Sequence, residues 1–504
     1  MEYVDVLIVG AGISGIGAAV HLQERCPGKR FAIIERRADV GGTWDLFRYP
    51  GVRSDSDMYT LGFRFKPWTQ AKAIADGPSI LSYLNETVDE HDLMSKIRFR
   101  QQVKRASWSS ADSRWTVEVI DGSTRAATTL SCSFLFMCGG YYNYDRGYLP
   151  DFPGHDTFTG QIVHPQHWPE DLNYRGKNVV VIGSGATAVT LVPALVADGA
   201  AKVTMLQRSP TYMAAGPSED RIANALRKML PAKAAYAVVR WKNILLGSFI
   251  FNLARQKPDK LKSRLLEGVR EELGPDYDVA TNFTPSYNPW EQRLCLVPDS
   301  DMFAAIRAGR AVVTTGQIER FTPTGILLKS GEELLADLIV TATGLNLQML
   351  AGVEVTVDGK RIDVAQTVLY KGIMLSGIPN LAMWFGYTNA SWTLKADLTS
   401  EYMCRMLSYM DTHHLAMVMP TYTGSLTDTE EFVDFSSGYF QRARHLLPKQ
   451  GHGLPWKLDQ NYFRDARLLR RGRVDDEGLV FSGPRAPGSV EAVREHEEVA
   501  NVSS

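Results

Sequence analysis

At 504 residues the chain is too long for one ordinary hydrophobic core, so two or three domains are expected. Apolar residues make up 44% and aromatic residues 10%, which excludes disordered and fibrous classes. With 55 Lys and Arg against 56 Asp and Glu, the formal charge is −1, and nothing suggests a nucleic-acid surface.

Five cysteines (Cys26, Cys132, Cys138, Cys295, Cys404) form no CxxC pair. That argues against a disulfide framework, a zinc site or a dithiol reductase, and fits a reducing compartment. No metal site is expected. The run VDVLIV (Val4 to Val9) reads as a buried strand from the start, which leaves no room for a signal peptide and points to the cytoplasm.

That strand leads into GAGISG, with Gly10, Gly12, Ser14 and Gly15, and then a helix-like run to Cys26. A second strand, FAIIE from Phe31, ends on Glu35. GGTW follows at Gly41 to Trp44, where glycines such as Gly42 permit close backbone approach to a cofactor that Thr43 contacts and Trp44 lines. In the strand-like QQVK from Gln101, Val103 offers its backbone to an adenine.

FTGQIVHPQHWP, residues 158 to 169, fits neither helical nor strand periodicity. Shortly after it the first pattern repeats. The strand NVVVI (Asn178 to Ile182) precedes GSGATA, with Gly183, Ser184, Gly185, Ala186, Thr187 and Ala188. A helix-like run to Val196 follows, and the strand VTMLQR ends on Gln207 and Arg208.

A strand, a glycine turn and a helix, found twice, predict two dinucleotide-binding units. Glu35 accepts hydrogen bonds from ribose hydroxyls and repels a 2′-phosphate, whereas Arg208 at the matching position pairs with one. The first unit therefore reads as an FAD site and the second as an NADPH site.

Residues 210 to 290 read as helical, with runs at Arg221–Leu230 and Leu261–Leu273. The apolar segment Ala234–Leu253 is interrupted by Arg240, Lys242 and Asn243. It is expected to be a buried or interdomain helix, not a transmembrane span, with peripheral membrane association left open. Strand-like pieces resume at Ala311–Thr315, Ile326–Lys329 and Leu338–Val340, the last leading into ATG at Ala342–Gly344.

The expected fold is α/β, with two Rossmann-like dinucleotide-binding domains (FAD and NADPH) and a helical insert. An FAD-binding first part spans 1–150 and an NADPH-binding first part 151–210. The insert spans 211–290, the NADPH-binding second part 291–345 and the FAD-domain return 346–482. A polar tail at 483–504 reads as disordered.

The pattern FxGxxxHxxxWP, from Phe158 through Gly160, His164 and Trp168 to Pro169, resembles the fingerprint of Type I Baeyer–Villiger monooxygenases. As in that family, it stands between the two glycine turns. GGTWDLFRYPGVRSDSDMYTLGF, GSGATAVTLVP, NPWEQRLCLVP and GYTNASWTLKADL are similar to the ethionamide-activating branch.

The resemblance implies that NADPH reduces FAD and that a C4a-peroxyflavin formed with O2 attacks ketones to give esters or lactones. Sulfide or thioamide oxygenation is an expected side activity, and a flavin S- or N-oxygenase is the alternative. It assigns Arg293 as the cation that stabilises the charged adduct and Asp55 as its positioning acid, with Arg53 and Ser54 touching cofactor.

Many family members carry Lys before that Arg. Here the residue is Gln292, so discrimination against NADH is expected to be weaker. The resemblance also draws Asn389 and Trp392 toward the substrate pocket. With Pro165 and Pro169 restricting the backbone, the stretch around His164 reads as a stiff hinge between the units.

Overall fold

The computed structural model describes residues 1–292, 294–433 and 437–483. Arg293, and all of the expected tail beyond residue 483, lie outside the described residues.

Val6 to Val9 are apolar and buried on both faces because this end of β1 (Glu2–Val9) lies inside a covered sheet. The first glycine turn leads to α1 (Ile13–Arg25), then β2 (Phe31–Ile34), β3 (Ile97–Arg98), β4 (Gln101–Ser109), β5 (Arg114–Asp121) and β6 (Ala127–Met137). β1 runs parallel between β6 and β2, while β4, β5 and β6 form an antiparallel meander.

A crossing strand, β7 (Tyr142–Gly147), carries the chain to a second unit. That unit starts with β8 (Gln161–Val163), β9 (Asn178–Ile182), α2 (Ala186–Ala197) and β10 (Lys202–Gln207). Next come β11 (Tyr212–Gly216) and four helices: α3 (Arg221–Met229), α4 (Ala232–Gln256), α5 (Pro258–Leu273) and α6 (Val279–Phe283). β12 (Leu294–Pro298), α7 (Asp301–Arg307), β13 (Ala311–Thr315) and β14 (Leu338–Thr341) follow. The second sheet is parallel, in the order β13-β10-β9-β14-β8.

The return strand β15 (Leu345–Leu347) pairs antiparallel with β7. β16 (Glu354–Val357), β17 (Lys360–Arg361) and β18 (Leu381–Met383) then rejoin the first sheet, β16 on β4 and β18 on β6. α8 (Trp392–Thr412) packs on α1, and α9 (Tyr462–Arg471) packs on α8. The α/β class with two Rossmann-like units is the architecture observed.

Three sequence expectations need correction. The aperiodic stretch 158–169 contains a true edge strand, β8, too short to show a period. The region after residue 210 holds β11, which pairs with β12 some 80 residues away, so its partner is invisible locally. The third concerns Ala234–Leu253, which lies on α4. That helix buries Ala235, Tyr236, Val239, Arg240 and Ile244, yet leaves Val238, Trp241, Leu245, Leu246 and Phe249 exposed. It is apolar nearly all round but packed on one face only. Among the described residues no helix is long and apolar enough to cross a membrane.

α4 is fastened by a buried charge. The Arg240 guanidinium, 7% exposed, donates to the carbonyls of Tyr59 and Gly62, both at 2.8 Å, and to Asp397 Oδ2 at 3.2 Å. Burial alone would raise the Asp397 carboxyl, but the His21 hydrogen bond and the Arg240 charge hold it below its usual value. Removing the cation would strand a buried carboxylate, which costs about 3–5 kcal/mol. Arg240→Met is therefore expected to lower the unfolding free energy by that much, read from urea titration followed by circular dichroism; an unchanged unfolding curve would contradict the anchoring role.

Candidate functional site

The first glycine turn is shaped by close backbone approach. Gly10 has φ +104°, and a Cβ on Gly15 would stand 1.9 Å from the Gly10 carbonyl oxygen. α1 then begins with no side-chain cap and no acidic residue in its first turn. Its leading N–H groups are left for an anion, as a pyrophosphate requires. Ser14 is buried and accepts a hydrogen bond from Trp392 Nε1 at 2.7 Å, so that residue supports the turn from below.

At the end of β2 the buried Glu35 carboxylate accepts from the Ala11 N–H and the Arg37 N–H, each at 2.7 Å. Burial pushes this carboxyl up, opposed by those two amides. Each oxygen keeps a lone pair that a ribose hydroxyl can use.

The Gly41 amide is tied to Ala11 O at 3.0 Å, and Gly42, at φ +57°, faces Gly12 across the turn. Thr43 opens a one-turn helix, and Trp44 packs half-buried on the core beneath α1. Val103 turns its side chain into the opposite core, and a bulge follows it before Arg105. Glycine turn, buried acid and open helix end together fit a dinucleotide.

The second turn repeats the plan with a different charge. Gly183 has φ +142° and donates to Leu206 O, and a Cβ on it would meet Ala342 O at 2.3 Å. A Cβ on Gly185 would meet nothing within 4 Å, so that side of the turn is open. Ser184 Oγ donates to Ser209 O at 3.0 Å, Ala186 and Thr187 begin α2, and Ala188 is fully buried.

α2 also lacks a side-chain cap and a first-turn acid. Beyond β10, Arg208 is exposed and makes no ion pair among the described residues. Gln207 turns the other way. It is 1% exposed, and its Nε2 donates to Asn282 O and Thr315 Oγ1.

The loop after GGTW runs from the first unit to the second. Tyr49 is buried against α2 through Thr190 and Thr187, and Gly51 lies so close to α2 that a Cβ would reach 2.6 Å from Ala194 Cβ. Arg53 forms an ion pair with Asp301, the first residue of α7, at 2.5 Å. Ser54 is buried, its amide on Ala75 O, and Asp55 beside it is exposed. The expected partnership of Asp55 with Arg293 falls outside the described residues. Asn389 and Trp392 lie apart in role: Asn389 donates to Gln460 O, while Trp392 stacks on Tyr141.

The stretch 158–169 sits on the crossing strands. Phe158 is buried with Phe321 and Ile339, and Gly160 is pressed against Asp337 O. The Gln166 amide donates to His164 Nδ1 at 3.2 Å, so Nε2 carries the proton and donates to Gly344 O, also at 3.2 Å. Burial lowers the proton affinity of this imidazole and keeps it neutral.

Gln166 Nε2 donates to Asn143 O, and the His167 ring contacts Asp145 O. One short segment thus grips both β7 and the start of the return strand. Trp168 meets Tyr174 edge-on, and Pro169 closes the segment.

Residues 7–230 match the family described as pyridine nucleotide-disulphide oxidoreductase. The chain is 56% identical over 489 residues to the FAD-containing monooxygenase EthA of Mycobacterium tuberculosis, covering 97% of this chain and 100% of that protein. The chain belongs to the FAD-containing monooxygenase family. It is also 50% identical to the probable FAD-binding monooxygenase AlmA of Acinetobacter baylyi, covering 95% of this chain and 96% of the relative. Among solved structures, an oxidized steroid monooxygenase bound to NADP superposes with a TM-score of 0.74 at 23% identity, covering 95% of this chain and all of that one.

Within this family member, sequence reasoning passed over Tyr49, Gly51 and Asp301. The only local signal for the first two was the turn-forming Tyr-Pro-Gly at 49–51, and Asp301 meets Arg53 from far along the chain. The clamp itself is testable. Gly147→Ala would bring a methyl to 2.0 Å from His164 Cε1, an overpacking cost of about 1–3 kcal/mol. Thermal unfolding should show that loss, and adding His164→Ala should recover part of it; strictly additive losses would contradict the contact.

Proposed function

We propose that the chain is an NADPH- and O2-dependent Baeyer–Villiger monooxygenase that converts ketones to esters or lactones and oxygenates sulfides or thioamides as a side activity. FAD occupies the first glycine turn and NADPH the second. The reading is carried by the opposite charges at equivalent strand ends: a buried carboxylate at Glu35, and at Arg208 an exposed guanidinium with no ion pair among the described residues. The FAD-containing monooxygenase name of its relative, and the NADP bound to the steroid monooxygenase of like fold, support it.

Bound FAD would supply the reduced flavin that activates O2, and NADPH the hydride that reduces it. The work of the chain is to bind, orient and shield. The α1 amides and Glu35 hold the pyrophosphate and ribose of the first dinucleotide. The α2 amides and Arg208 hold those of the second, with Gln207 bracing the strand end from inside.

By the family resemblance, Arg293 would supply the cation that offsets the developing negative charge, with Asp55 as its positioning acid. The segment from Phe158 to Pro169 governs how far the second unit moves while the first keeps its cofactor. No proton transfer requires His164.

Two measurements test this. With a simple methyl ketone, NADPH and air, gas chromatography should show the ester. Arg293→Ala should keep FAD bound, lose about 100–1000-fold in ester formation and release hydrogen peroxide instead. No ester with the wild type, together with efficient sulfoxide formation, would favour an S- or N-oxygenase. Second, Arg208→Ala should raise the KM for NADPH about 10–100-fold while that for NADH changes little. Equal losses with both would remove the 2′-phosphate role.

A further inference from the structure

The outward face of α4 presents Val238, Trp241, Leu245 and Phe249, spaced so that they fall on one side of the helix. Their exposure runs from 48% at Trp241 to 66% at Phe249, with Leu246 at 52% alongside. Ile222 and Met229 on the neighbouring α3 are 56% and 79% exposed. Trp241 stacks within 24° of parallel on Phe463 of α9, itself 40% exposed, so the apolar surface continues across three helices. Scattered exposed apolar residues need no explanation, but a contiguous face of this kind marks a contact surface.

The charge around it is one-sided. Between Arg221 and Arg264 the sequence holds eleven Lys and Arg against a single acid, Asp259, in a chain whose formal charge is −1. Arg240 is buried on Asp397, Lys242 pairs with Asp220, and Arg264 pairs with Glu267 and Glu271 just beyond that stretch. Lys228 and Lys233 stand exposed at one end of α4, and Lys257 and Lys260 at the other. Arg467 and Arg471 are exposed on α9 near Phe463, as is Arg464, which pairs with Asp459.

From these two features we infer that this face docks on the surface of an anionic phospholipid bilayer, with α4 lying in the interfacial plane. An apolar stripe of Trp, Leu and Phe flanked by cations is the pattern of a helix that sinks its apolar side to the acyl boundary and leaves its charges among the headgroups. Anionic lipid strengthens such binding through each cation held near the surface.

A second copy of the chain is the less suited occupant, because a two-fold pairing sets a patch against itself and brings like charges together. The buried face of α4 meanwhile grips the segment just beyond Asp55. Asn243 Nδ2 donates to Asp57 Oδ1 at 2.8 Å, and Tyr236 OH donates to Phe63 O at 2.9 Å. Docking would hold the neighbourhood of that site against the lipid.

The test is vesicle flotation of the full-length FAD-loaded protein. Binding is expected to vesicles of mixed phosphatidylcholine and phosphatidylglycerol, with weak or no binding to phosphatidylcholine alone and release by high salt. Leu245→Glu with Phe249→Glu alters only exposed side chains. It should cut the bound fraction at least about 10-fold while leaving NADPH oxidation unchanged.

Failure of the wild type to float with anionic vesicles would overturn the inference, and so would undiminished binding of the double variant. Sedimentation velocity supplies a third outcome. A wild-type dimer that the double variant dissociates, without vesicle binding, would make the face a homotypic interface and overturn it as well.

Discussion

Two hydrogen-bonded crossing strands, β7 and β15, set the relation between everything else in the molecule. The chain leaves the first sheet once and returns once, and the two passages pair antiparallel at the same place. The Gly344 carbonyl at the start of the return accepts both the Tyr148 amide and His164 Nε2. Without that junction the two glycine turns would be separate sites on separate bodies. With it, they belong to one device whose parts keep a defined facing.

The loop from Tyr49 to Asp55 adds a second connection. It comes from the first unit, but Tyr49 and Gly51 rest on α2 and Arg53 reaches α7. The charge logic of the nucleotide ends is therefore combined with a structural one. The residues nearest the expected reaction centre sit on a segment held by both units, so a change in their mutual position is felt there first.

Much of this was legible in the sequence because glycine is demanded where backbone meets backbone. Gly10, Gly15 and Gly183 have no room for a side chain, and the strand that precedes each turn is apolar on both faces. Glu35 and Arg208 were legible because a strand end fixes their distance from the turn. What could not be read depends on partners far along the chain. His164 meets Gly344, Arg53 meets Asp301, and β11 meets β12, and no local period encodes such pairs. The burial of Gln207 was missed for the same reason, since its amide answers to Asn282 and Thr315. Composition named α4 apolar, but only packing tells which side of it is left uncovered.

The split of the first sheet bears on how the chain reaches this state. β16 and β18 add to β4 and β6 only after the whole second unit has been made, whereas β8 through β14 are contiguous between the two crossings. During synthesis the second unit has all its strands while the first still shows unpaired edges at β4 and β6. The segment that emerges first is thus completed last. Its exposed edges must be protected over the span of translation from Met137 to Leu381, and truncation anywhere before β18 would leave a nucleotide fold with an open seam.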